Sequence, residues 1–383
     1  MKNVLFVSHS SELNGAELWL LETLRTLDRA KFNPALIIPR PGPLGDAARR
    51  LGIEIDIVPM KWWLTEKGRV WRQPAAWLWN RRAVGQIAKM IGEKRVDLVF
   101  TNSAATFGGA RAAKKAGVPH VWAIHELVGG ECPFLRYLLG KKALAELIIR
   151  NSSKIIVNSE TSKAAFPEAE RIVVIYNGVR VKDGGDAAPK VRREDLGLKR
   201  DDLVAGIIGK IYEGKGQREA IQAVSLLSGK YPTLKLLVVG DVRDQRYYRG
   251  IGRLAASGGL KDRVKFMGYW PHLAGLLKIM DVVIVASVVD SFGRTALEAM
   301  ASGVPVLAVR AGGLPEIVEP GENGFLAESR DPAELARGLD FILGNPDKAR
   351  EAAAGALITL REKFTLEGQA RGVGRVLAEV LGE

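Results

Sequence analysis

Short apolar runs separated by longer, helix-patterned stretches recur along the whole chain. In the first half the runs are Val4–Ser8, Ala35–Ile38, Glu54–Val58, Leu98–Thr101, His120–Ile124, Lys154–Asn158 and Ile172–Ile175. In the second half they are Leu203–Ile208, Lys235–Val239, Arg263–Phe266, Val282–Val285, Pro305–Ala308 and Gly324–Ala327. Runs this apolar read as strands covered on both faces, and strands alternating with helices imply parallel sheets with crossover helices. The pattern predicts an α/β protein of two doubly wound domains. The rhythm breaks at Val181–Arg193 (VKDGGDAAPKVRR), a stretch rich in Gly, Pro and charge that reads as a linker. The predicted domains are residues 1–180 and 199–363, with the linker over 181–198 and a helical tail over 364–383.

The 383 residues suffice for two domains, and 47% apolar with 26% charged residues is a globular composition. The single cysteine, Cys132, excludes an intrachain disulfide and fits a reducing cytoplasm. The start, MKNVLFVSHS, reads as a first strand and not a signal peptide. No apolar run approaches the ~18 residues of a bilayer span, so the expectation is a cytoplasmic chain, soluble or peripheral to the membrane. The net charge of +13 is uneven: residues 1–180 carry 27 Lys and Arg against 16 Asp and Glu, a net of +11. That asymmetry points to a partner of the first domain.

The most informative chemistry lies in Ala286–Ser302, ASVVDSFGRTALEAMAS. A strand should end just before it, a turn should span Val288–Gly293, and a helix should begin at Arg294. Asp290 is then on a loop at a strand's carboxyl end, and Glu298 is one turn into the helix. Backbone N–H groups around Gly293, Arg294 and Thr295 would form an anion site at the helix start. Two carboxylates flanking an anion site suit a ligand with both hydroxyls and phosphates, such as a nucleotide sugar. Farther upstream, GKIYEGKGQ follows the strand Leu203–Ile208 and places Lys210 and Lys215 where they could hold a diphosphate. No Asp-x-Asp occurs, and four scattered histidines give no metal-ligand spacing. The reading is a metal-independent enzyme that needs no cofactor.

The spacing of Asp290 and Glu298, with the flanking SFG and LEAMASGVPV, resembles the Glu-x7-Glu signature of family 4 retaining glycosyltransferases. Asp290 stands where that family usually has Glu, and Lys210 where it usually has Arg; Lys215-Gly216 matches. Further similar segments are VNSE (Val157–Glu160), VIYNGV (Val174–Val179) and VVGD (Val238–Asp241). The resemblance implies the GT-B fold: two Rossmann-like domains facing each other across a cleft, the first on the acceptor side and the second binding the donor. It also implies a final helix that crosses back to the first domain. The donor site it implies comprises Gly15, Lys210, Lys215, Asp290, Ser291, Phe292, Gly293, Arg294, Thr295 and Glu298. Lys210 and Lys215 would hold the diphosphate, Glu298 the ribose hydroxyls and Asp290 the donor sugar, with His125 near the anomeric carbon. The catalytic set is His125, Lys215 and Asp290. A hexosyl transfer from a nucleoside diphosphate sugar to a hydroxyl acceptor, with retention, follows, in cell-envelope glycan or lipid-linked saccharide synthesis. A nucleotide-sugar epimerase of the same architecture, or a catalytically weakened binding protein, are the rivals.

Lys61–Arg95 holds five of the eight tryptophans and nine Lys and Arg against two acids. At 100° per residue, Trp77, Val84, Ile87, Ala88 and Ile91 share a face that reads as core. Trp79, Arg82, Gln86 and Lys89 fall on the opposite face, which suits an anionic membrane surface or glycan, or else a solvated basic face with its Trp folded on a neighbouring loop. Nucleic acid is a poorer partner, since the aromatics form one cluster.

Overall fold

The computed structural model describes all residues except 65–68, 129–135, 168–169, 182–190 and 258. Cys132 and half of the expected linker therefore lie outside the described residues. The chain divides into two compact units, residues 1–178 with 366–383, and residues 179–365.

The first unit is built on seven parallel strands: β1 (Lys2–Ser8), β2 (Phe32–Ile38), β3 (Glu54–Ile57), β4 (Leu98–Asn102), β5 (His120–Ile124), β6 (Lys154–Val157) and β7 (Ile172–Val174). Their spatial order is β3-β2-β1-β4-β5-β6-β7. The crossovers carry α1 (Gly15–Thr26), α2 (Pro43–Arg50), α3 (Gln73–Glu93), α4 (Gly108–Ala116), α5 (Gly140–Arg150) and the single turn α6 (Glu160–Lys163). One face of the sheet packs Phe6, Leu36 and Phe100 against Trp19, Leu20 and Leu24 of α1, all essentially without solvent exposure. The opposite face packs Leu5, Val7 and Val99 against Ile87 and Ile91 of α3.

The second unit repeats the scheme with β8 (Leu203–Ile208), β9 (Leu234–Val239), β10 (Val264–Gly268), β11 (Val282–Val285), β12 (Val306–Val309) and β13 (Phe325–Ala327), in the order β10-β9-β8-β11-β12-β13. Its helices are α7 (Gln217–Leu226), α8 (Gln245–Ala256), α9 (Leu273–Leu277), α10 (Arg294–Ala301), α11 (Pro332–Gly344) and α12 (Pro346–Lys363). In each sheet the first strand sits beside the strand from which the order runs the other way, β1 beside β4 and β8 beside β11. Loops leaving the carboxyl ends of such a pair diverge and open a crevice, the usual binding place in doubly wound sheets.

The last helix, α13 (Leu366–Leu381), packs within the first unit. Its Val373 and Leu377 join the cluster around Trp19. Gln369 is buried, donates to the Trp19 carbonyl at 3.2 Å and to Thr23 Oγ1 at 2.8 Å, and accepts from the Gly178 N–H at 2.8 Å.

The core face expected of α3 is corrected at one residue. Trp77 is 44% exposed, while Gln73, Asn80, Ala83, Ile87 and Ile91 face inward. Asn80 turns in because its amide donates to the Lys61 carbonyl at 2.8 Å and accepts from the Lys61 N–H at 2.9 Å. Trp77 is rotated to the flank, where the Arg111 guanidinium of α4 lies 5.9 Å from its ring centre.

Candidate active site

In the second unit the crevice between the loops after β8 and β11 gathers most of the expected site residues. The loop after β8 runs Gly209–Gly216 and closes with a single 3-10 turn over Glu213–Lys215. Gly216 ends it with φ of 78°, and a Cβ there would meet the Ala286 carbonyl oxygen at 2.6 Å, so only glycine lets this loop lie on the end of β11. The two loops are tied at one carbonyl. Gly214 accepts from the Val288 N–H at 3.2 Å and from the Ser287 hydroxyl at 3.4 Å. This register brings the Lys215 ammonium to the Asp290 carboxylate, and the two form an ion pair with about a fifth of each side chain exposed. Lys210 lies on the same loop, where Gln217 Nε2 donates to its carbonyl at 3.1 Å.

Beyond Asp290 the chain turns inward. Ser291 and Phe292 are buried, and the Phe292 ring meets Phe364 edge-on at 5.7 Å. Gly293 caps α10 with φ of 121°. The first N–H groups of an α-helix have no carbonyl partner within it, and here that first turn begins at Arg294 and Thr295. The partial positive charge of a helix start thus stands a few residues from Asp290 on the chain, and Asp290 is the partner of Lys215. One turn on, Glu298 accepts from Arg294 Nε at 2.8 Å, and both side chains remain partly exposed. The side chains of Ser291 and Phe292 are thus turned inward at this loop, while Lys215, Asp290, Arg294 and Glu298 keep partly exposed polar groups.

Gly15 and His125 belong to the first unit and lie at the carboxyl edge of its sheet. Gly15 opens α1 after the capping residue Asn14, and a Cβ on it would meet nothing within 4 Å, so no part of the described protein requires its missing side chain. His125 follows β5, with Nε2 2.8 Å from Asn102 Oδ1 and the Trp19 ring edge-on at 4.8 Å. Asn102 ends β4, and its amide donates to the Ala16 carbonyl at 3.0 Å. Burial, helped by the neighbouring His9, lowers the His125 pKa to about 3. The ring is thus neutral at physiological pH, a positioned hydrogen-bonding group and not a proton carrier.

The pairings of two acids at this edge were not legible in the sequence. Buried Glu17 pairs with His9 Nε2 at 3.1 Å and accepts from the Asn14 N–H at 3.1 Å. Glu126 accepts from the Ser103 hydroxyl, the Ala104 N–H at 3.0 Å and the His125 N–H at 3.1 Å. That carboxylate holds Ser103 at φ of 82°, a conformation costly to a residue with a Cβ. The sequence places Glu126 with His125 just past the strand His120–Ile124, but not its partners on the next loop. Among the described residues no group of three or more His, Cys, Asp or Glu could hold a metal ion.

A fold of two such sheets with an anion-ready helix start in the second unit defines a class, the GT-B glycosyltransferases, and the comparisons give the family. The model of Glycosyltransferase Family 4 matches residues 13–183, and that of Glycosyl transferases group 1 matches residues 190–356. The chain belongs to glycosyltransferase family 4. It is similar to the D-inositol 3-phosphate glycosyltransferase of Frankia alni, at 31% identity over 285 residues, covering 69% of each chain. The protein of the same name from Corynebacterium kroppenstedtii is 30% identical over 226 residues, covering 54% of this chain and 49% of its own. The match thus spans about half the length of that relative. Anabaena Alr3699/HepE in complex with UDP has a TM-score of 0.81 at 26% identity, over 99% of this chain and 100% of that one. The same protein in complex with UDP-glucose gives 0.81 at 25% identity over the same shares.

Proposed function

We propose that this chain transfers a hexosyl group from a nucleoside diphosphate sugar to a hydroxyl acceptor, with retention at the anomeric carbon and without a metal ion. The observation that carries this reading is the Lys215–Asp290 pair beside the start of α10, at the crevice of the second sheet. A nucleotide sugar needs a cationic, N–H-rich place for its diphosphate and carboxylates for its hydroxyls, and this crevice holds both. An ammonium has three donors, so Lys215 can keep Asp290 and still meet a phosphate oxygen. Glu298 takes the ribose hydroxyls and Asp290 those of the donor sugar.

The leaving nucleoside diphosphate gains negative charge as the glycosidic bond breaks. Lys215, Lys210 and the N–H groups of Gly293–Thr295 oppose that charge more strongly in the transition state than in the bound donor, which is what accelerates the step. Departure and attack take place on one face of the sugar through an oxocarbenium-like state, and His125 and Gly15 serve the anomeric region. UDP-glucose leads the list of donors to test, because the Anabaena protein has been solved with it.

The test is a thermal-shift panel of UDP, GDP, ADP and their sugars, followed by assay of the responding donor with and without hydroxyl acceptors, inositol phosphate among them. A ligand at a hundredfold excess over its Kd stabilises the folded chain by about 2.7 kcal/mol, a measurable rise in Tm. Nucleotide release on adding acceptor supports transfer, and an α-linked product from an α-linked donor supports retention. Conversion of the donor sugar without acceptor would establish the epimerase instead. Binding with neither reaction would leave a binding protein.

A further inference from the structure

We propose that the first unit docks on an anionic lipid surface through the start of α3 and residues 136–139 just before α5, and that the acceptor hydroxyl is presented at that surface. Only the second clause rests on the transferase reading. Among the described residues fourteen large hydrophobic side chains are exposed. Half of them, four tryptophans and three leucines, are at 62, 71, 77–79 and 138–139. Trp71 and Leu78 are each 67% exposed and Leu139 70%. The start of α3 and residues 136–139 are far apart in sequence and joined in space: Gln73, the first residue of α3, donates from Nε2 to the Arg136 carbonyl at 2.5 Å and accepts from the Leu138 N–H at 2.9 Å.

Charge selects the occupant. Residues 69–92 carry five Lys and Arg and no acid, and residues 136–145 carry three and no acid. Lys61 adds an ammonium 3.9 Å from the Trp79 ring centre. A solvated surface would intersperse both signs. Tryptophans beside cations suit the headgroup layer, where an indole spans apolar and wet surroundings. The leucines decide between a lipid surface and a soluble polyanionic glycan. A glycan offers Leu78, Leu138 and Leu139 nothing to bury against, whereas the acyl boundary takes them out of water. Among the described residues no helix is long and apolar enough to cross a membrane.

The patch adjoins the edge that holds His125. Because α3 follows β3, its start lies at the carboxyl edge of the first sheet, the edge from which the loops after β1 and β5 also leave. Trp62 fastens the two together, its Nε1 donating to the His9 carbonyl at 2.9 Å. A lipid-linked acceptor held at the patch thus comes to the edge of the first sheet that holds His125.

The experiment is co-sedimentation of the full chain with phosphatidylcholine vesicles and with phosphatidylcholine–phosphatidylglycerol vesicles, at low and high salt. The expected result is binding to the anionic vesicles alone, weakened by salt. Removal of each cation should cost about fivefold in affinity. Arg81→Glu with Arg82→Glu should therefore weaken binding at least that far, and Leu78→Ser with Leu139→Ser should weaken it at low and high salt alike. Arg253→Glu with Lys261→Glu, the same change of charge in the second unit, should leave binding intact. All of these side chains are exposed, so the variants should keep the parental Tm. Recovery in the supernatant with both vesicles would overturn the proposal, as would equal loss in the second-unit control. So would capture by heparin with none by vesicles. The vesicle arms involve no sugar transfer, so they stand or fall apart from the donor assays.

Discussion

Lys215 and Asp290 are 75 positions apart, on loops that leave neighbouring strands, and their side chains form an ion pair. The two residues expected to meet different parts of a donor are joined to one another. Replacing Lys215 with Ala removes the cation that opposes leaving-group charge and strands the Asp290 carboxylate. The kcat should fall by about 10²–10³ with KM changed less, the size seen on deleting one donor to a developing anion. Steady-state kinetics with the donor that responds in the binding panel would check this, and a kcat/KM near the parental value would remove Lys215 from the diphosphate.

Asp290→Glu lengthens the carboxylate arm by one methylene while keeping its charge. The longer arm reaches farther from the loop, either displacing Lys215 or meeting a different sugar hydroxyl. Donor ranking by kcat/KM across several hexose nucleotides should therefore change. Identical rankings and rates would mean that this position does not read the sugar.

Metal independence is tested by chelation. With Lys210, Lys215 and the start of α10 opposing the diphosphate charge, transfer in EDTA should match transfer in Mg²⁺ or Mn²⁺ within about twofold, well short of the several kcal/mol a catalytic ion supplies. Loss of activity in EDTA with rescue by a divalent ion contradicts that account.

Two histidines make the fold acid-sensitive. His120 is buried, with Nε2 2.8 Å from Thr101 Oγ1 and Nδ1 2.8 Å from the Asn151 carbonyl, and burial lowers its pKa to about 3. His125 is lowered to about 3 as well. Both folded-state values lie below the unfolded value of about 6.5, so the unfolded chain binds the extra protons. Their stabilisation is complete above about pH 6.5 and is lost as pH falls toward 3, at up to roughly 1.4 kcal/mol per pH unit for each ring. Urea unfolding between pH 7 and 4.5 should show a slope that His120→Gln with His125→Asn reduces; an unchanged slope would falsify the assignment.

Gln369→Ala should destabilise the first unit without touching the donor crevice. It leaves the Gly178 N–H and Thr23 hydroxyl without their partner in a buried place, at about 1–3 kcal/mol for each orphaned group. Calorimetry should find the Tm lowered by several degrees, with donor affinity retained. A Tm within a degree of the parent would show that α13 is held by its apolar face alone.

The fold was legible because parallel strands covered on both faces leave unbroken apolar runs, and all thirteen expected strands are present, with ends moved by at most three residues. Asp290 and Glu298 were legible as neighbours on one loop and helix. The Lys215–Asp290 pair was not, since it depends on β8 and β11 being adjacent, a matter of strand order and not of spacing. Trp77 was misplaced for a related reason. Periodicity ranks residues by hydrophobicity, and the inward position went to Asn80, whose amide satisfies both backbone groups of Lys61. The partners of Glu126 were not legible, because Ser103 and Ala104 lie on another strand's loop.

The placement of α13 has a consequence for how the chain is made. The second unit is an insertion within the first, entered after Gly178 and left before Leu366. Val179 donates to the Phe364 carbonyl at 2.9 Å, so entry and exit lie side by side. On the ribosome, residues 179–365 emerge complete while the first sheet still lacks the helix that covers Trp19. The later-coded unit is therefore the first that can finish folding. The earlier-coded one must wait, with an apolar face uncovered, until translation has delivered Gln369, Val373 and Leu377.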